Sequence, residues 1–388
     1  MKIAIVVHGP NIIDSGYAIK IINFFEEYGD VQSKLGGTMG RTAVIDASLE
    51  KTIDISSKLL PSESLEFFNN ENVDLMFLIN YGKSSTTGHV FGYKVFNHYN
   101  SHIKNKTIPL IQIERPGEED GSLIYWNEDL TISKSKINAL LDDVIHKFDL
   151  TNISPNEIEI KYFKNNKNNK NERKIHGVSP NENILVNGVV VGKSNNDEIV
   201  LITENSYLTE IKGGTIKNHG VQKLGKFNLE KAIVKTGLLR KSDIVPRTLE
   251  NNNNSDFFKV VYLNHAAENI YEYKDVDLVL TIGDDTTLLA SDILYRFNVP
   301  VIGITDGDLD KLVEKGFKTN DSIIFKVQEG YDDIVGEEIF KEIFKGENFI
   351  EFPISCIDFE DFKTNKINEI KCNIIKIINN RNYKYIIE

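Results

Sequence analysis

The sequence has little cysteine and no excess of positive charge. Its two cysteines, Cys356 and Cys372, do not form a Cys-x-x-Cys metal motif, and nothing in their spacing suggests a disulfide framework. The formal net charge of −12 produces a negative field that repels nucleic acid and anionic membranes. Generic binding to nucleic acid or to a membrane surface is therefore not expected.

Long apolar runs are absent as well. Val73–Ile79 is among the longest, whereas a membrane-spanning helix needs about 20 apolar residues. The N-terminal stretch MKIAIVVHGP has one lysine and a short apolar run that ends in a Gly-Pro turn. It has no small-residue cleavage site, so it does not resemble a signal peptide. We therefore expect a cytoplasmic protein.

The chain does contain enough apolar sequence for several cores. Hydrophobic residues make up 40% of its 388 positions, and domains usually hold about 100–200 residues, so two or three are expected. We predict an N-terminal α/β domain at 1–150, a β-rich middle domain at 151–250 and a C-terminal α/β domain at 251–388. The predicted fold class is α/β, with two parallel-sheet domains separated by a small β-rich domain. The composition is compatible with a monomer and with a homo-oligomer.

Periodicity predicts the elements of the two α/β domains. Compact apolar runs indicate buried strands, at Lys2–Val7, Val31–Leu35, Val73–Ile79, Ile108–Ile113, Phe257–Leu263, Leu278–Ile282, Val299–Ile304 and Ile323–Val327. Apolar residues at helical spacing indicate helices, at Ala18–Tyr28, Lys134–Phe148, Leu288–Phe297 and Ile334–Lys345. Ile367–Ile378 fits a helix or a strand. The middle domain has short β-rich runs, at Ile184–Val191, Glu198–Thr203, Tyr207–Ile211 and Ala232–Lys235.

The first candidate site is the turn Gly283-Asp284-Asp285-Thr286-Thr287, which follows a buried-type strand. Glycine lets the backbone turn, and the two threonines are suited to cap a helix that begins near Leu288. A helix N-terminus offers amides and partial positive charge, which favour phosphate. The two aspartates fit Mg²⁺ binding or acceptance of a proton from a hydroxyl. The alternative is a capping cluster that only starts the helix.

A second acidic turn, Thr305-Asp306-Gly307-Asp308-Leu309-Asp310, follows the next strand, which contains Gly303. In open α/β sheets, ligands bind at the carboxyl edge of the strands, so both turns are expected to face one crevice. The spacing of Asp306, Asp308 and Asp310 begins like a calcium loop. The later glycine and glutamate of an EF-hand are missing, so that site is rejected.

The two turns together resemble a family. Gly283-Asp284-Asp285-Thr286 is similar to the GGDGT turn of NAD kinases and related lipid kinases, and Gly303–Leu309 is similar to the segment that follows it in NAD kinases. This resemblance implies that Asp284 takes the place of the catalytic aspartate. It also implies that Gly283 and Thr286 line a triphosphate.

This local likeness covers about forty residues. Asp285 and Ile282 stand where NAD kinases have glycine, and Thr305 stands where they have asparagine. The β-rich module precedes the turn here and follows it in NAD kinases. The likeness therefore favours a related nucleotide site over the same reaction.

As a whole, the chain is similar to an archaeal family, mostly from methanogens, labelled domain of unknown function 2117. The resemblance is carried by four segments, at Val7–Pro10, Leu35–Ala43, Leu185–Gly192 and Thr281–Asp308. It implies membership of that family and brings no known activity.

The N-terminal domain offers a second candidate anion site. It comprises a glycine-rich turn after a strand and the histidine that ends the first strand, that is, Gly36, Gly37, Thr38, Gly40, Arg41 and His8. The Arg41 guanidinium can bind a phosphate or a carboxylate with two hydrogen bonds. The alternatives are a flexible turn with a surface arginine and a satisfied polar histidine.

These observations favour a protein that binds a nucleotide or another small phosphorylated ligand together with Mg²⁺. As an enzyme it would transfer a phosphoryl group, with Asp284 as the base, Asp284 and Asp308 as metal ligands, and Asp306 near the metal or a ribose. Phosphate would lie against residues of both turns, namely Gly283, Asp285, Thr286, Thr287, Gly303, Thr305, Asp306, Gly307 and Asp308. The alternatives are a non-catalytic nucleotide sensor or assembly factor, and a scaffold in which the turns only connect elements.

Overall fold

The computed structural model describes residues 1–103, 108–127, 134–164, 171–237, 240, 244–249, 255–264, 270–307, 318–354 and 359–388. The chain forms two compact units. The first contains 1–184, 191–232 and 240–245, and the second contains 185–190, 233–239 and 246–388. The three-domain division stays a prediction.

The first unit begins with alternating strands and helices. They are β1 (Lys2–His8), α1 (Asn11–Asp14), α2 (Tyr17–Glu26), β2 (Asp30–Gly36), α3 (Arg41–Asp46), α4 (Pro61–Asn70), β3 (Leu75–Asn80), α5 (Ser85–His102), β4 (Leu110–Glu114), β5 (Ser122–Tyr125), α6 (Lys134–Phe148) and β6 (Thr151–Ile153). These strands form a six-stranded sheet of order β2-β1-β3-β4-β5-β6. The first four are parallel, as predicted, whereas β5 is antiparallel to β4. The connection 115–121 is too short for a crossover, which needs a dozen or more residues.

A short antiparallel β-rich region follows. Its elements are α7 (Pro155–Glu159), the π-helix Ile160–Lys164, β7 (Glu172–His176), β8 (Asn183–Val186), β9 (Val189–Ser194), β10 (Glu198–Glu204), β11 (Tyr207–Lys212), β12 (Gly214–Ile216), α8 (Asn218–Leu224) and β13 (Val234–Thr236). Strands β11, β10 and β7 form one antiparallel sheet, and β9 pairs antiparallel with β12. The predicted β-rich module is present, although the sequence pattern missed β7, β12 and α8.

The second unit contains the second six-stranded sheet. Its elements are β14 (Phe257–Asn264), the 3₁₀ turn Ile270–Tyr273, β15 (Leu278–Ile282), α9 (Asp284–Leu294), the 3₁₀ turn Tyr295–Phe297, β16 (Val301–Thr305), β17 (Ile323–Val327), α10 (Asp332–Glu342), β18 (Phe349–Pro353), α11 (Phe359–Asn380) and β19 (Tyr385–Ile387). The strand order is β18-β14-β15-β16-β17-β19. The inner four strands are parallel and both edge strands are antiparallel. The predicted α/β class with two largely parallel sheets is confirmed.

The helices of the second unit cover opposite faces of its sheet. Side chains alternate along β15, where Leu280 packs with α10 and α11, while Val279 packs with α9. Leu185 of β8 and Val190 of β9, on either side of the turn between these strands, join the α9 side. The segment Ile367–Ile378 is therefore helix within α11, because its isoleucines pack on the sheet at helical spacing.

Helix α9 begins at Asp284, so the prediction that it starts near Leu288 is wrong by one turn. Gly283 has φ 91° and ψ 148°, which ends β15 and starts the helix at the next residue. Glycine tolerates this positive φ without a steric penalty. The first turn of α9 therefore lies at the carboxyl edge of the sheet, with its two aspartates.

Candidate functional site

Three adjacent parallel strands of the second unit end in acidic segments. Asp284 follows β15, Asp306 follows β16, and Asp332 begins α10 after β17. Because α9 and α10 lie on opposite faces of the sheet, their N-termini flank the carboxyl ends of the strands between them. Ligands of open α/β sheets bind at such a change of face.

The three carboxylates lie together. One carboxylate oxygen of each of Asp284, Asp306 and Asp332 lies within 4.8 Å of the other two, a geometry that can hold a metal ion. Backbone amides fix two of these side chains from neighbouring segments. Asp284 Oδ2 accepts hydrogen bonds from the amides of Asp306 and Gly307, at 3.3 Å each, and Asp306 Oδ2 accepts one from Gly330 at 2.8 Å. The positions of Asp284 and Asp306 are therefore set by the backbone around the ends of the strands.

Burial raises the free energy of keeping these carboxylates charged and close together. The exposed fraction is 5% for Asp284 and 9% for Asp332. Carboxylates brought together away from water repel one another, and a divalent cation removes that repulsion. Mg²⁺ and Ca²⁺ both prefer oxygen ligands, which is the only type this cluster supplies. The donor set therefore fits a hard divalent cation.

The cluster has a cationic neighbour that the sequence did not indicate. Lys326, on β17, is paired in register with Thr305. Its Nζ lies only 2.6 Å from the point where a Cβ on Gly307 would stand, and Gly307 has φ 76°. The glycine thus lets the lysine cross the turn after β16. A lysine that reaches the turn carrying Asp306 suits a ligand that has negative charge and binds with a metal ion.

Some of the predicted residues of the Gly283 turn lie near the carboxylate cluster, and others make hydrogen bonds inside the fold. Gly283 lies near the cluster, since its Cβ position is 3.9 Å from Asp332 Oδ2 and 4.0 Å from Thr286 Oγ1. Thr287 is fully buried, and its Oγ1 donates to the Gly283 carbonyl at 2.7 Å and lies 2.8 Å from Thr281 Oγ1. Those contacts favour a structural role for Thr287, whose contact with phosphate stays a prediction.

The remaining predicted residues also differ in position. Asp285 is partly exposed in the first turn of α9, whereas Thr305 is buried at the end of β16. Gly303 lies inside β16, where an added Cβ would be 2.3 Å from Thr287 Cγ2, so it provides room for α9. Asp308, predicted to bind metal, lies outside the described residues, and so does Asp310.

The first unit brings the other predicted site together at the carboxyl edge of its sheet. His8 pairs in register with Gly36, and an added Cβ on Gly37 would meet only His8 Cδ2, at 3.9 Å. Gly36 and Gly40 are packing residues, since a Cβ would lie 2.8 Å from Pro61 Cα and 2.7 Å from Leu35 Cδ1, respectively. Two further members, Thr38 and Arg41, are partly exposed. Arg41 Nη2 donates to the Ser57 carbonyl at 3.1 Å. Anion binding there stays a prediction.

His8 belongs to a hydrogen-bonded series across three strands. His8 Nδ1 is 2.8 Å from Asn80 Oδ1, and Asn80 Nδ2 donates to Glu114 Oε2 at 2.8 Å. Register places these residues side by side on β1, β3 and β4. Because the Asn80 amide nitrogen faces Glu114, its oxygen faces His8, so Nδ1 of the imidazole is the donor. This fixes the tautomer of the neutral ring.

Glu114 is the buried end of the series. Its exposed fraction is 0%, and it also accepts hydrogen bonds from the amides of Gly82 at 2.7 Å and Gln112 at 2.8 Å. Burial raises the pKa of Glu114 to about 7, although these bonds and the one from Asn80 lower it. Helix α5 makes room with Gly88, where a Cβ would lie 1.9 Å from the carboxyl carbon.

Comparison with known proteins places the chain. Residues 5–347 match the model of a family described as "Uncharacterized protein conserved in archaea (DUF2117)". The chain belongs to this family. It is also 45% identical over 347 residues to the uncharacterized protein MJ0065 of Methanocaldococcus jannaschii, covering 88% of this chain and 92% of that protein. Both descriptions establish the family and carry no activity.

The family match includes both strand edges, from His8 to Asp332, and ends before α11. The family predicted from the sequence is therefore confirmed. The likeness of the Gly283 turn to NAD kinases stays a local resemblance. No helix in the described part of the chain has the length and apolar character needed to cross a membrane.

Four residues of the two edges escaped the sequence analysis, namely Asn80, Glu114, Lys326 and Asp332. A signal existed for two of them, since Asn80 ends an otherwise apolar strand and Glu114 ends a strand in which three of the other four residues are apolar. A polar residue at that position faces the edge where ligands bind. Lys326 and Asp332 had no such signal, because their place depends on how β17 and α10 pack beside the two glycine turns.

Proposed function

We propose that the second unit binds a complex of Mg²⁺ with a nucleotide or another phosphorylated metabolite. The observation that carries this proposal is the convergence of Asp284, Asp306 and Asp332 from three adjacent strand ends. The Lys326 side chain crosses Gly307, in the turn that follows Asp306. The carboxylates hold the metal ion, and the lysine contacts a phosphate oxygen.

The charges support a metal–phosphate complex over either ion alone. Three carboxylates repel a phosphate that binds without a metal ion. A metal ion that binds without an anion gives the Lys326 ammonium group nothing to pair with. Mg²⁺ binds through a few carboxylates and keeps other positions for water and substrate phosphates. A phosphate that bridges the metal ion and Lys326 therefore satisfies both sets of charges.

Asp284 acts as a metal ligand in this proposal. Its Oδ2 is held by two backbone amides, and only 5% of the residue is exposed. A general base must reach the substrate hydroxyl, which this fixed side chain is poorly placed to do. Phosphoryl transfer then rests on positioning and charge stabilisation, which are its main sources of catalysis in proteins.

Thermal unfolding with Mg²⁺ alone, nucleotides alone and both together tests the proposal. Saturation near 100 times the dissociation constant stabilises by about 2.7 kcal/mol, which raises the melting temperature by about 5–10 °C for a unit of this size. Asp332→Asn should abolish the Mg²⁺-dependent increase. Lys326→Met should retain the effect of Mg²⁺ alone and lose most of the nucleotide effect.

The matched control is Asp333→Asn, the same change at the adjacent residue, which lies outside the described carboxylate cluster. It should keep the full response. Asparagine still accepts hydrogen bonds, and loss of one charge reduces repulsion in the cluster. Apo Asp332→Asn should therefore melt no lower than the wild type. The proposal is wrong if no nucleotide or phosphometabolite raises the wild-type melting temperature with Mg²⁺.

A turnover assay separates an enzyme from a sensor. Wild-type protein is incubated with the ligand that gives the largest shift, and release or transfer of its terminal phosphate is followed by ³¹P NMR. Phosphate consumption that Asp284→Asn removes supports a phosphotransferase. Binding without consumption supports the non-catalytic nucleotide sensor.

A further inference from the structure

The first unit has a second cluster of metal-ligating side chains, away from its strand ends. Helix α5 presents His98 and His102, and helix α4 presents Glu66. One ligand-capable atom of each lies within 4.8 Å of the others. Two imidazoles and one carboxylate form a different donor set from the all-carboxylate cluster of the second unit, so the two clusters differ in the ions they select.

The two histidines share one helix face. Residues four apart on an α-helix are neighbours, and the ring centroids of His98 and His102 are 4.4 Å apart. Both stand in the last turns of α5, where the carbonyl ends of the helix give a partial negative charge. That charge favours a bound cation.

The tautomer of His102 is already set for metal binding. Its Nδ1 lies 2.8 Å from the backbone carbonyl of His98, and a carbonyl only accepts, so Nδ1 carries the hydrogen. The neutral ring then has its lone pair on Nε2. Metal-ligating histidines in proteins almost always donate their other ring N–H to a carbonyl or carboxylate in this way.

The spacing between the two helices is fixed beside the cluster. Tyr99, between the two histidines in sequence, is fully buried, and its hydroxyl donates to Asn69 Oδ1 of α4 at 2.9 Å. Glu66 lies one turn before Asn69 on α4, so the same packing brings its carboxylate to α5. Its Oε1 is 3.7 Å from His102 Nδ1, the nitrogen that carries the hydrogen, so metal binding also requires a rotation of the His102 ring that turns Nε2 toward Glu66.

We propose that Glu66, His98 and His102 bind a divalent transition-metal ion of the zinc type, which links α4 to α5. With Zn–N bonds of about 2.1 Å, donor atoms around tetrahedral zinc are about 3.4 Å apart. Closure from 4.8 Å needs small rotations of the side chains, and His102 and Glu66 are 53% and 31% exposed. Three protein ligands leave a fourth position for water or an external ligand.

Isothermal titration of the untagged, metal-free full chain with zinc chloride tests this site. The wild type should bind zinc at Glu66, His98 and His102, and His98→Ala and His102→Ala should each weaken that binding by at least about tenfold. Glu66→Gln should weaken it too. Cobalt(II) should give a visible absorption band that the same variants remove.

Two controls make the result specific. His146→Ala removes an exposed histidine of α6 and should leave zinc binding unchanged. The double variant Asp284→Asn/Asp332→Asn disrupts the other cluster and should also retain this zinc site, so failure here is distinct from failure of the nucleotide proposal. Equal zinc binding by the wild type and by His98→Ala/His102→Ala, or no binding by the wild type, overturns the inference.

Discussion

At the scale of single residues, the burial of the Glu114 carboxyl group in the first sheet opposes its ionisation. A carboxyl group with 0% exposure sits under α5, and two helix positions lack side chains around this buried polar series. A Cβ at Gly88 would be 1.9 Å from the Glu114 carboxyl carbon, and one at Gly92 would be 1.7 Å from Gln112 Oε1. Glycine lowers helix stability by about 1 kcal/mol at such positions. The space that the buried polar side chains need therefore reduces the stability of α5.

The raised pKa of Glu114 predicts a defined pH dependence of stability. Its pKa rises from the ordinary 4.5 to about 7 on folding, so the folded state holds a proton that the unfolded state has lost between those values. The resulting stability is fully present below pH 4.5 and is lost as the pH rises through 7. The total change is about 3 kcal/mol.

Urea unfolding of the wild type and Glu114→Gln from acid to neutral pH measures this effect. The glutamine does not titrate, so the wild type should lose about 3 kcal/mol relative to the variant as the pH rises. Glu71→Gln, at the exposed end of α4, is the control and should show no such divergence. A constant difference between wild type and Glu114→Gln at every pH would contradict the assignment.

At the scale of elements, the packing of α9 on β16 sets the position of the acidic turn. Gly303 and Thr287 are in contact at this interface, where an added Cβ would lie 2.3 Å from Thr287 Cγ2. We predict that Gly303→Ala destabilises the protein by about 1–3 kcal/mol through overpacking. It should also weaken Mg²⁺-dependent nucleotide binding, because α9 carries Asp284.

A double-mutant cycle checks the cause. Thr287→Ser removes Cγ2 and keeps the hydroxyl that donates to Gly283. In the Thr287→Ser background, Gly303→Ala should therefore cost much less, which gives a coupling free energy of about 0.5–3 kcal/mol. Additive effects in urea unfolding would show that the alanine acts through something other than this contact.

The same elements show what sequence alone predicts. Buried strands such as Leu278–Ile282 and Ile323–Val327 were placed correctly at both ends, because apolar β-branched runs have few alternatives. The start of α9 was misplaced, since the unusual φ of Gly283 ended the strand where capping threonines suggested a later start. The antiparallel strands β5, β18 and β19 were missed, because partial exposure or short length weakens their pattern.

The candidate site was predictable only in part. Asp284 and Asp306 could be expected at one edge because each follows a parallel strand directly. Asp332 joins them through the close approach of α10, where a Cβ on Gly336 would lie 2.8 Å from Ile282. That contact depends on tertiary packing, so no pattern in the neighbouring sequence indicates it. The position of Lys326 depends on tertiary packing in the same way.

At the scale of the whole molecule, the chain passes between its two units several times. Residues 185–190 and 233–239 belong to the second unit, while Arg240 belongs to the first. Within the first unit, Arg240 forms ion pairs with Asp14 and Asp46, the latter with Nη1 to Oδ2 at 2.6 Å. The side chains of Arg240 and Asp46 are 6% and 0% exposed.

We predict that Arg240→Met lowers the free energy of unfolding by about 3–5 kcal/mol, because it removes the cation that pairs with the buried Asp46 carboxylate and the partly buried Asp14 carboxylate. Adding Asp14→Asn and Asp46→Asn should restore much of the loss. The control is Arg381→Met, whose 59% exposed side chain pairs with Glu338; its effect should stay below about 1 kcal/mol. A loss of that small size for Arg240→Met would contradict the predicted role, and urea unfolding measures both.

The interleaved chain also has a consequence for biosynthesis. Leu185 and Val190 leave the ribosome well before Val261 and Val279, the sheet residues with which they pack. At about 5–20 residues per second, several seconds pass before their partners exist. During that time β8 and β9 expose apolar side chains that nothing in the nascent chain yet covers. Completion of the second unit must therefore wait until β19, the last strand of its sheet along the chain, has been synthesised.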